Sequence, residues 1–246
     1  LNKKMFNLPF NYKKDLKEIG HFSINKLFEE NEINIAKEGI INFLDKRNSP
    51  EFESVKIEYN YGKSELRLWN SQKIIPELSY IYKGLKKLNK FLFNDYRDFC
   101  MLTIVNSKCK QDFFDRRWHT DSFNKQRKFF LHLTNVSDKD GPFEFVPKTH
   151  KLRYKIFNSI RNSLLFYPYF KLNKFSLEPT YTQISDSYMK KIKNKIKYVC
   201  SKGDLLVADV RMLHRDSPCI SGSRIALHCY LGAETSKFKN NDFKLN

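Results

Sequence analysis

The amino-acid sequence predicts a mainly β fold with flanking helices, and three features support that prediction. From residue 98 onward, short alternating or apolar segments follow one another with turn residues between them. Within residues 1–97, amphipathic segments recur at helical spacing. The chain has 246 residues, enough to bury one core, and a single domain over 1–246 is expected. Many short strands of this kind are typical of a double-stranded β-helix, the jelly-roll arrangement.

The first part of the chain predicts an irregular arm and then helix. Residues 1–22 mix polar and aromatic side chains without a clear period. From Ser23 the apolar residues recur at helical spacing, so one or two helices are expected to end near Asn48. The hydroxyl of Ser23 can accept from the free N–H groups of a first turn, which predicts an N-cap at that position.

A strand pair and a further helix are predicted next. Residues 53–59 and 65–69 alternate in polarity on either side of a turn at 60–63, as short strands do. Residues 74–93 have an amphipathic helical pattern with Pro76 near its first turn. The apolar stripe of this helix consists of Leu78, Ile81, Leu85, Leu88 and Leu92. Such a stripe predicts burial in the core rather than a ligand site.

The strand-rich core is predicted over 98–232, and a tail follows at 233–246. Its strands are expected at 101–105, 127–136, 141–147, 205–210 and 224–231. Residues 151–198 form a long insertion, with a helix expected at 154–165 and an aromatic run at 166–170. An insertion of that length without strand pattern is often a lid or recognition loop, so part of the substrate site is expected there.

The net charge of +18, from 45 Lys and Arg against 27 Asp and Glu, admits two interpretations. One is an anionic partner, such as nucleic acid, a membrane surface or a phosphorylated or carrier-linked substrate. The other is compositional, since Lys, Asn, Ile and Phe are all abundant. Nucleic acid is disfavoured, because its binding predicts a recognisable module or a clustered basic helix with interleaved aromatics, and only the short run at 190–197 is found.

Cysteine usage predicts a reducing compartment. The chain has an odd number of cysteines and no Cys-x-x-Cys pair, which argues against a disulfide scaffold or a structural zinc site. The five are Cys100, Cys109, Cys200, Cys219 and Cys229. No signal peptide is expected, and no apolar run approaches the ~20 residues that a membrane span needs. A cytoplasmic protein is therefore expected.

The stretch Trp118-His119-Thr120-Asp121-Ser122 is the strongest indication of chemistry. Residues i and i+2 of a strand point to the same face, so His119 and Asp121 can converge on one metal ion. His214, which follows a predicted turn and strand, offers a third ligand. Two histidines and one carboxylate on one face of an octahedron are the ligands of non-haem Fe(II) oxygenases. Arg224, further on, is a fixed cation suited to bidentate binding of a carboxylate.

A His-x-Asp triplet alone is weak, because it occurs by chance in many proteins. Here it belongs to an ordered set with His214 and Arg224, and a segment stands between its members: Gly141-Pro142-Phe143-Glu144-Phe145-Val146-Pro147-Lys148-Thr149-His150-Lys151. With these residues the chain resembles the phytanoyl-CoA dioxygenase-like family of Fe(II)/2-oxoglutarate oxygenases. That family has Trp-His-x-Asp-Ser, a Gly-Pro segment ending in Ser/Thr-His-Lys, then His and Arg, and the match covers residues 98–232.

The resemblance implies a cupin-like double-stranded β-helix whose outside is buttressed by the N-terminal α-helices. It implies that His119, Asp121 and His214 bind Fe(II), and that Arg224 binds the distal carboxylate of 2-oxoglutarate. The implied reaction consumes 2-oxoglutarate and O2, releases succinate and CO2, and hydroxylates a small or carrier-linked metabolite, with anionic, sugar-derived and lipid-derived metabolites among the candidates. Related halogenases replace the carboxylate ligand with a small residue, so Asp121 favours hydroxylation, while desaturation, epoxidation and ring closure remain open.

Three further side chains are candidates for holding the cosubstrate. Alternation along 129–134 places Phe130, His132 and Thr134 on one face of a strand. If that face looks into the barrel, Thr134 can donate to a cosubstrate carboxylate and His132 can line the pocket. Asn106 can bond the carboxylate nearest the iron. The alternative for each is a satisfied polar group of the core, which is preferred for His132.

Other side chains near the motif have supporting or structural interpretations. Ser122 and Asp209 are expected to orient the ligands rather than to bind the metal. His228 is expected to be structural.

Two other functions stay open from the sequence. One is a non-catalytic binding protein, whose positive charge engages nucleic acid or an anionic surface beside a relict metal site. Retention of all four site residues argues against such decay. The other is a cupin-like zinc hydrolase, which lacks an obvious general base and leaves Arg224 without a role.

Overall fold

The computed structural model describes residues 8–46, 57–60, 64–107, 118–121, 126–151, 184 and 189–231. Several sequence predictions lie outside these residues. They are most of the turn at 60–63, the helix at 154–165, the aromatic run at 166–170 and the tail at 233–246.

The helices among the described residues form a layer beside the β core. They are α1 (Tyr12–Glu18), α2 (Glu30–Asp45) and α3 (Ser79–Phe93). Helix α2 opens with a capping box, in which the Glu32 carboxylate accepts from the backbone N–H of Glu29 at 2.9 Å and the reciprocal bond is also present. A 3-10 turn at Pro76–Leu78 leads into α3. The predicted apolar stripe of α3 is buried along its whole length, as expected.

Within the described part of the chain, two antiparallel sheets form the core. Their strands are β1 (His21–Ile24), β2 (Ile57–Asn60), β3 (Glu65–Leu68), β4 (Met101–Ser107), β5 (Arg127–His132), β6 (Phe143–Phe145), β7 (Ile196–Lys197), β8 (Leu205–Asp209), β9 (His214–Asp216) and β10 (Ser223–Leu231). The larger sheet has seven strands in the order β1-β8-β5-β10-β4-β3-β2, and the smaller has three in the order β7-β6-β9. This non-sequential antiparallel order confirms the predicted mainly β, jelly-roll fold.

Strand β5 shows how the larger sheet separates two packed regions. Phe129 and Leu131 lie in the cluster that the sheet forms with the helices, together with Leu85 of α3. Phe130, which alternates with them, packs against Phe143 of the smaller sheet. The predicted alternation of β5 is therefore confirmed, and its even-numbered side chains face the space between the two sheets. We call that space the barrel.

The prediction of helix from Ser23 was wrong. Ser23 lies in strand β1, which pairs with β8 in the register Ser23 to Leu206, and the helix begins only at Glu30. Phe22 and Ile24 are buried while Ser23 is half-buried, which is the alternation of an edge strand rather than a helical stripe. The irregular arm was also wrong in part, because α1 spans Tyr12–Glu18.

Two strands of the smaller sheet were not predicted. Strands β7 and β9 have two and three residues, too few for an alternating pattern to be visible in the sequence. Each pairs with β6, which lies within the predicted strand at 141–147. Among the described residues, no helix is both long enough and apolar enough to cross a membrane.

Candidate metal and cosubstrate site

The three predicted metal ligands are brought together by backbone pairing. His119 and His214 face each other in an antiparallel bridge, and each backbone N–H donates to the carbonyl of the other at 2.9 Å. The N–H of Asp121 donates to the carbonyl of Val210, just past the end of β8, at 3.1 Å. Because β9 starts at His214, the short turn after β8 fixes the third ligand beside the first two.

The ligand atoms have the spacing of a metal site. Oδ1 of Asp121 lies 3.4 Å from Nε2 of His119 and 3.2 Å from Nε2 of His214. Ligands held at about 2.1 Å from one ion and at right angles to each other lie about 3 Å apart. Nδ1 of His214 lies 2.9 Å from the carbonyl oxygen of Met212, which leaves its Nε2 free of a proton to bind metal. Two imidazoles and one carboxylate of this geometry fit Fe(II).

Asp121 presents its two oxygens to different partners. Whereas Oδ1 faces the histidines, Oδ2 lies 3.6 Å from Nζ of Lys128, a buried residue of β5. The same ammonium stands 4.1 Å from the ring centroid of Tyr230. Burial raises the pKa of Asp121, but the Lys128 ammonium outweighs that effect and holds the pKa well below its usual range. Asp121 is therefore an ionised ligand at neutral pH.

Arg224 is fully buried on β10, and its side chain lies in the barrel. Its Nε and Nη2 donate to Oδ1 of Asn106 at 3.3 and 3.0 Å, and its Nη1 donates to the carbonyl of Gly141. Nη2 also lies 3.4 Å from Oδ1 of Asp216, two residues beyond the metal ligand His214. Burial raises the pKa of Asp216, but Arg224 more than offsets this and holds that pKa well below its usual range.

The other predicted cosubstrate residues, Asn106, Thr134 and His132, differ in their hydrogen bonding. Asn106 is fully buried and bonds Arg224, so its amide acts through the arginine rather than pointing freely at the metal ligands. Thr134 accepts the backbone N–H of Ile225 at 3.1 Å, which leaves its hydroxyl proton for a further acceptor. His132 is fully buried, and neither ring nitrogen has a partner among the described residues. Their cosubstrate roles stay predictions.

Two expected orienting residues can be compared with the structure. Asp209 accepts from Nε of Arg211 at 2.8 Å, so its nearest strong partner is that arginine and not a metal ligand. Ser122 lies outside the described residues.

Sequence reasoning missed three charged residues of this site. Lys128 shares the barrel face of β5 with Phe130, which lies two residues on, so the strand period could have found it. Asp216 lies two residues from His214 on β9, a strand too short for its period to be visible in the sequence. Glu65 of β3 is fully buried and close to Asn106. No sequence signal distinguishes it from an exposed strand residue.

His132 and His228 are buried histidines whose lowered pKa values make folding stability depend on pH. Burial, followed by Arg224, lowers the pKa of His132 to about 3, and burial, followed by Lys128, holds that of His228 well below its ordinary value. In the unfolded chain a histidine has a pKa near 6.5, so on acidification the unfolded state binds protons that the folded state does not. The stabilisation is complete above pH ~6.5 and declines as the pH falls toward the folded pKa.

We therefore expect His132 and His228 each to lower the free energy of unfolding by about 1.4 kcal/mol between pH 7.5 and 5.5. Urea denaturation of the metal-free protein at the two pH values measures the drop. His132→Gln should reduce the drop by one such contribution. An equal drop in the variant and the wild type would show that His132 titrates normally in the folded protein.

Solved structures share this fold. AviO1 from Streptomyces viridochromogenes Tue57 matches with a TM-score of 0.59 and 14% identity, over 91% of this chain and 96% of AviO1. SnoK, a non-haem α-ketoglutarate-dependent carbocyclase from nogalamycin biosynthesis, matches with a TM-score of 0.60 and 14% identity, over 92% of this chain and 84% of SnoK. HygX from Streptomyces hygroscopicus, solved with nickel, 2-oxoglutarate and hygromycin B, matches with a TM-score of 0.57 and 14% identity, over 96% of this chain and 100% of HygX.

These matches establish the fold: the chain has the double-stranded β-helix that 2-oxoglutarate-dependent enzymes also have. No family model matches the sequence, and no curated protein matches it.

Proposed function

We propose that this protein is an Fe(II)- and 2-oxoglutarate-dependent oxygenase. The observation that supports the proposal best is the convergence of His119, Asp121 and His214, whose ligand atoms all lie within 4.8 Å of one another. A cluster of this composition leaves one face of an octahedral ion open. Arg224, buried in the same barrel, supplies a cation for the far carboxylate of a 2-oxo acid.

Each residue has a proposed task in this scheme. His119, Asp121 and His214 would hold Fe(II), and Arg224 would bind the distal carboxylate of 2-oxoglutarate, with Asn106 supporting the guanidinium. His132 and Thr134 are proposed to line the cosubstrate pocket. When bound, the iron and cosubstrate would supply the activation of O2 and the oxidation of a C–H bond, with succinate and CO2 as coproducts. The chain itself orients the ligands through Met212 and Lys128.

The substrate is proposed to be a small or carrier-linked metabolite. HygX was solved with hygromycin B, so this fold can hold a small molecule beside 2-oxoglutarate. The net charge of +18 favours an anionic substrate. A binding protein with a relict site is not favoured, because decay would not preserve both the ligand cluster and the buried arginine.

The proposed outcome is hydroxylation. Asp121 occupies the ligand position that a halide would need, which disfavours halogenation. SnoK is a carbocyclase and SnoN an epimerase, so enzymes with this fold have other oxidative outcomes, and product analysis must distinguish them. Cysteine usage still favours a reducing, cytoplasmic location.

Succinate formation from 2-oxoglutarate and O2 tests the proposal without a known substrate. The purified protein should release succinate from 2-oxoglutarate in air only when Fe(II) is added. Asp121→Ala, prepared and reconstituted in parallel, controls for free iron in solution. Equal succinate from the wild type and this variant would contradict the proposed function.

A further inference from the structure

A buried row of polar side chains crosses three neighbouring strands of the larger sheet. Glu65 of β3 stands opposite Asn106 of β4, and Asn106 stands opposite Arg224 of β10. All three residues are fully buried. The row links the proposed cosubstrate cation to a carboxylate that does not itself bond to Arg224.

The hydrogen bonds along the row determine which way the Asn106 amide points. Oε2 of Glu65 accepts from Nδ2 of Asn106 at 3.0 Å, and Oδ1 of Asn106 accepts from Nη2 of Arg224 at 3.0 Å. An ionised carboxylate can only accept, and a guanidinium can only donate. A reversed amide would therefore set oxygen against oxygen at one end and N–H against N–H at the other.

Arg67 holds the outer end of the row. Its Nε donates to Oε1 of Glu65 at 2.7 Å, and its side chain is partly exposed whereas that of Glu65 is not. A buried carboxylate needs such a partner, because an unpaired charge in the interior is strongly destabilising. Arg67 thus pairs with one oxygen of the Glu65 carboxylate while the other oxygen accepts from Asn106.

We infer that Glu65 is a positioning residue for the cosubstrate: it fixes the Asn106 amide so that the amide oxygen holds the Arg224 guanidinium in place. The inference rests on the proposed function, because Arg224 is taken to bind the distal carboxylate of 2-oxoglutarate. Glu65 itself touches neither the metal ligands nor Arg224 by any described hydrogen bond. Its effect should appear in recognition of that carboxylate and not in metal binding.

The experiment compares the binding of two 2-oxo acids to the Fe(II)-loaded protein in the absence of oxygen. One is 2-oxoglutarate, and the other is 2-oxovalerate, which keeps the chelating 2-oxo acid but lacks the distal carboxylate. Titration of the visible charge-transfer band gives both dissociation constants, and their ratio measures the carboxylate recognition. In Glu65→Gln the preference for 2-oxoglutarate should fall about tenfold, the usual scale for loss of a group that orients a ligand. Affinities for Fe(II) and 2-oxovalerate should be unchanged.

Two further variants keep the test interpretable. Glu65→Asp keeps the charge but withdraws the carboxylate from Asn106, so it should lower the same preference and provides a test if Glu65→Gln does not fold. Asp95→Asn is a matched control, because Asp95 is also a buried carboxylate paired with an arginine two residues on, Arg97, at 2.8 Å. It should leave the preference unchanged.

The possible outcomes separate this inference from the proposed function. Absence of any band in the wild type would overturn the proposed function and the inference with it. A band in the wild type, with an undiminished preference in the folded Glu65 variants, would overturn the inference alone. An equal fall in the affinities for 2-oxoglutarate and 2-oxovalerate would also overturn the inference, because that result indicates general damage to the site.

Discussion

Replacing Asp121 with alanine is expected to weaken Fe(II) binding by at least about 100-fold, because loss of a direct ligand should exceed the 10–100-fold cost of losing a supporting group. The variant removes the only carboxylate among the three clustered ligands and leaves Lys128 without its anionic neighbour at 3.6 Å. The two imidazoles alone are a weaker set for Fe(II), which prefers the mixed histidine and carboxylate ligands. Iron-dependent succinate formation should be lost together with the metal.

Equilibrium dialysis with Fe(II) under anaerobic conditions measures this loss directly. Asp209→Ala is the matched control, because Asp209 is a buried carboxylate of the adjacent β8 that pairs with Arg211 rather than with the ligand cluster. Circular dichroism should show native secondary structure in both variants. Full Fe(II) affinity in Asp121→Ala would exclude Asp121 from the metal site.

Replacing Arg224 with glutamine should mainly weaken the binding of 2-oxoglutarate and leave the affinity for Fe(II) unchanged. Truncating one partner of a buried, hydrogen-bonded charge pair costs about 2–5 kcal/mol. Each 1.4 kcal/mol is a factor of ten, so 2-oxoglutarate affinity should fall by about 30-fold or more. Titration of the charge-transfer band at saturating Fe(II) measures the change.

The control for Arg224 must account for Asp216, whose carboxylate lies 3.4 Å from the guanidinium. Removing only the arginine leaves this half-buried carboxylate without its ion-pair partner, which destabilises the fold. The double variant Arg224→Gln with Asp216→Asn removes both charges and separates loss of binding from loss of stability. Arg211→Gln disrupts an ion pair with Asp209 and should leave 2-oxoglutarate affinity intact. An unchanged affinity in both Arg224 variants would place the carboxylate-binding group elsewhere.

Much of the fold was predictable because its patterns are local. The stripe of α3 repeats over several turns, and the alternation of β5 places its odd- and even-numbered residues on opposite faces, as found. The failures have the opposite cause. Strand β1 is defined by its pairing with β8, and β9 by its pairing with β6, partners that lie far away in sequence. Neither strand is long enough to display a period of its own.

The candidate site was likewise predicted only in part from the sequence. The ordered set of His119, Asp121, His214 and Arg224, together with the family resemblance that it supports, was sufficient to propose the cluster. The charges that surround them were not predicted. Lys128, Asp216 and Glu65 acquire their partners only when β5, β9 and β3 are arranged in the two sheets.

Anaerobic titration of the metal-free protein with Fe(II) and then 2-oxoglutarate tests the central claim most directly. Chelation of a 2-oxo acid by Fe(II) gives a visible metal-to-ligand charge-transfer band, and we predict that this band appears in the wild type and is absent from His214→Ala. Bound Fe(II) without a band on saturation with 2-oxoglutarate would contradict the proposed oxygenase and favour a binding protein with a relict metal site.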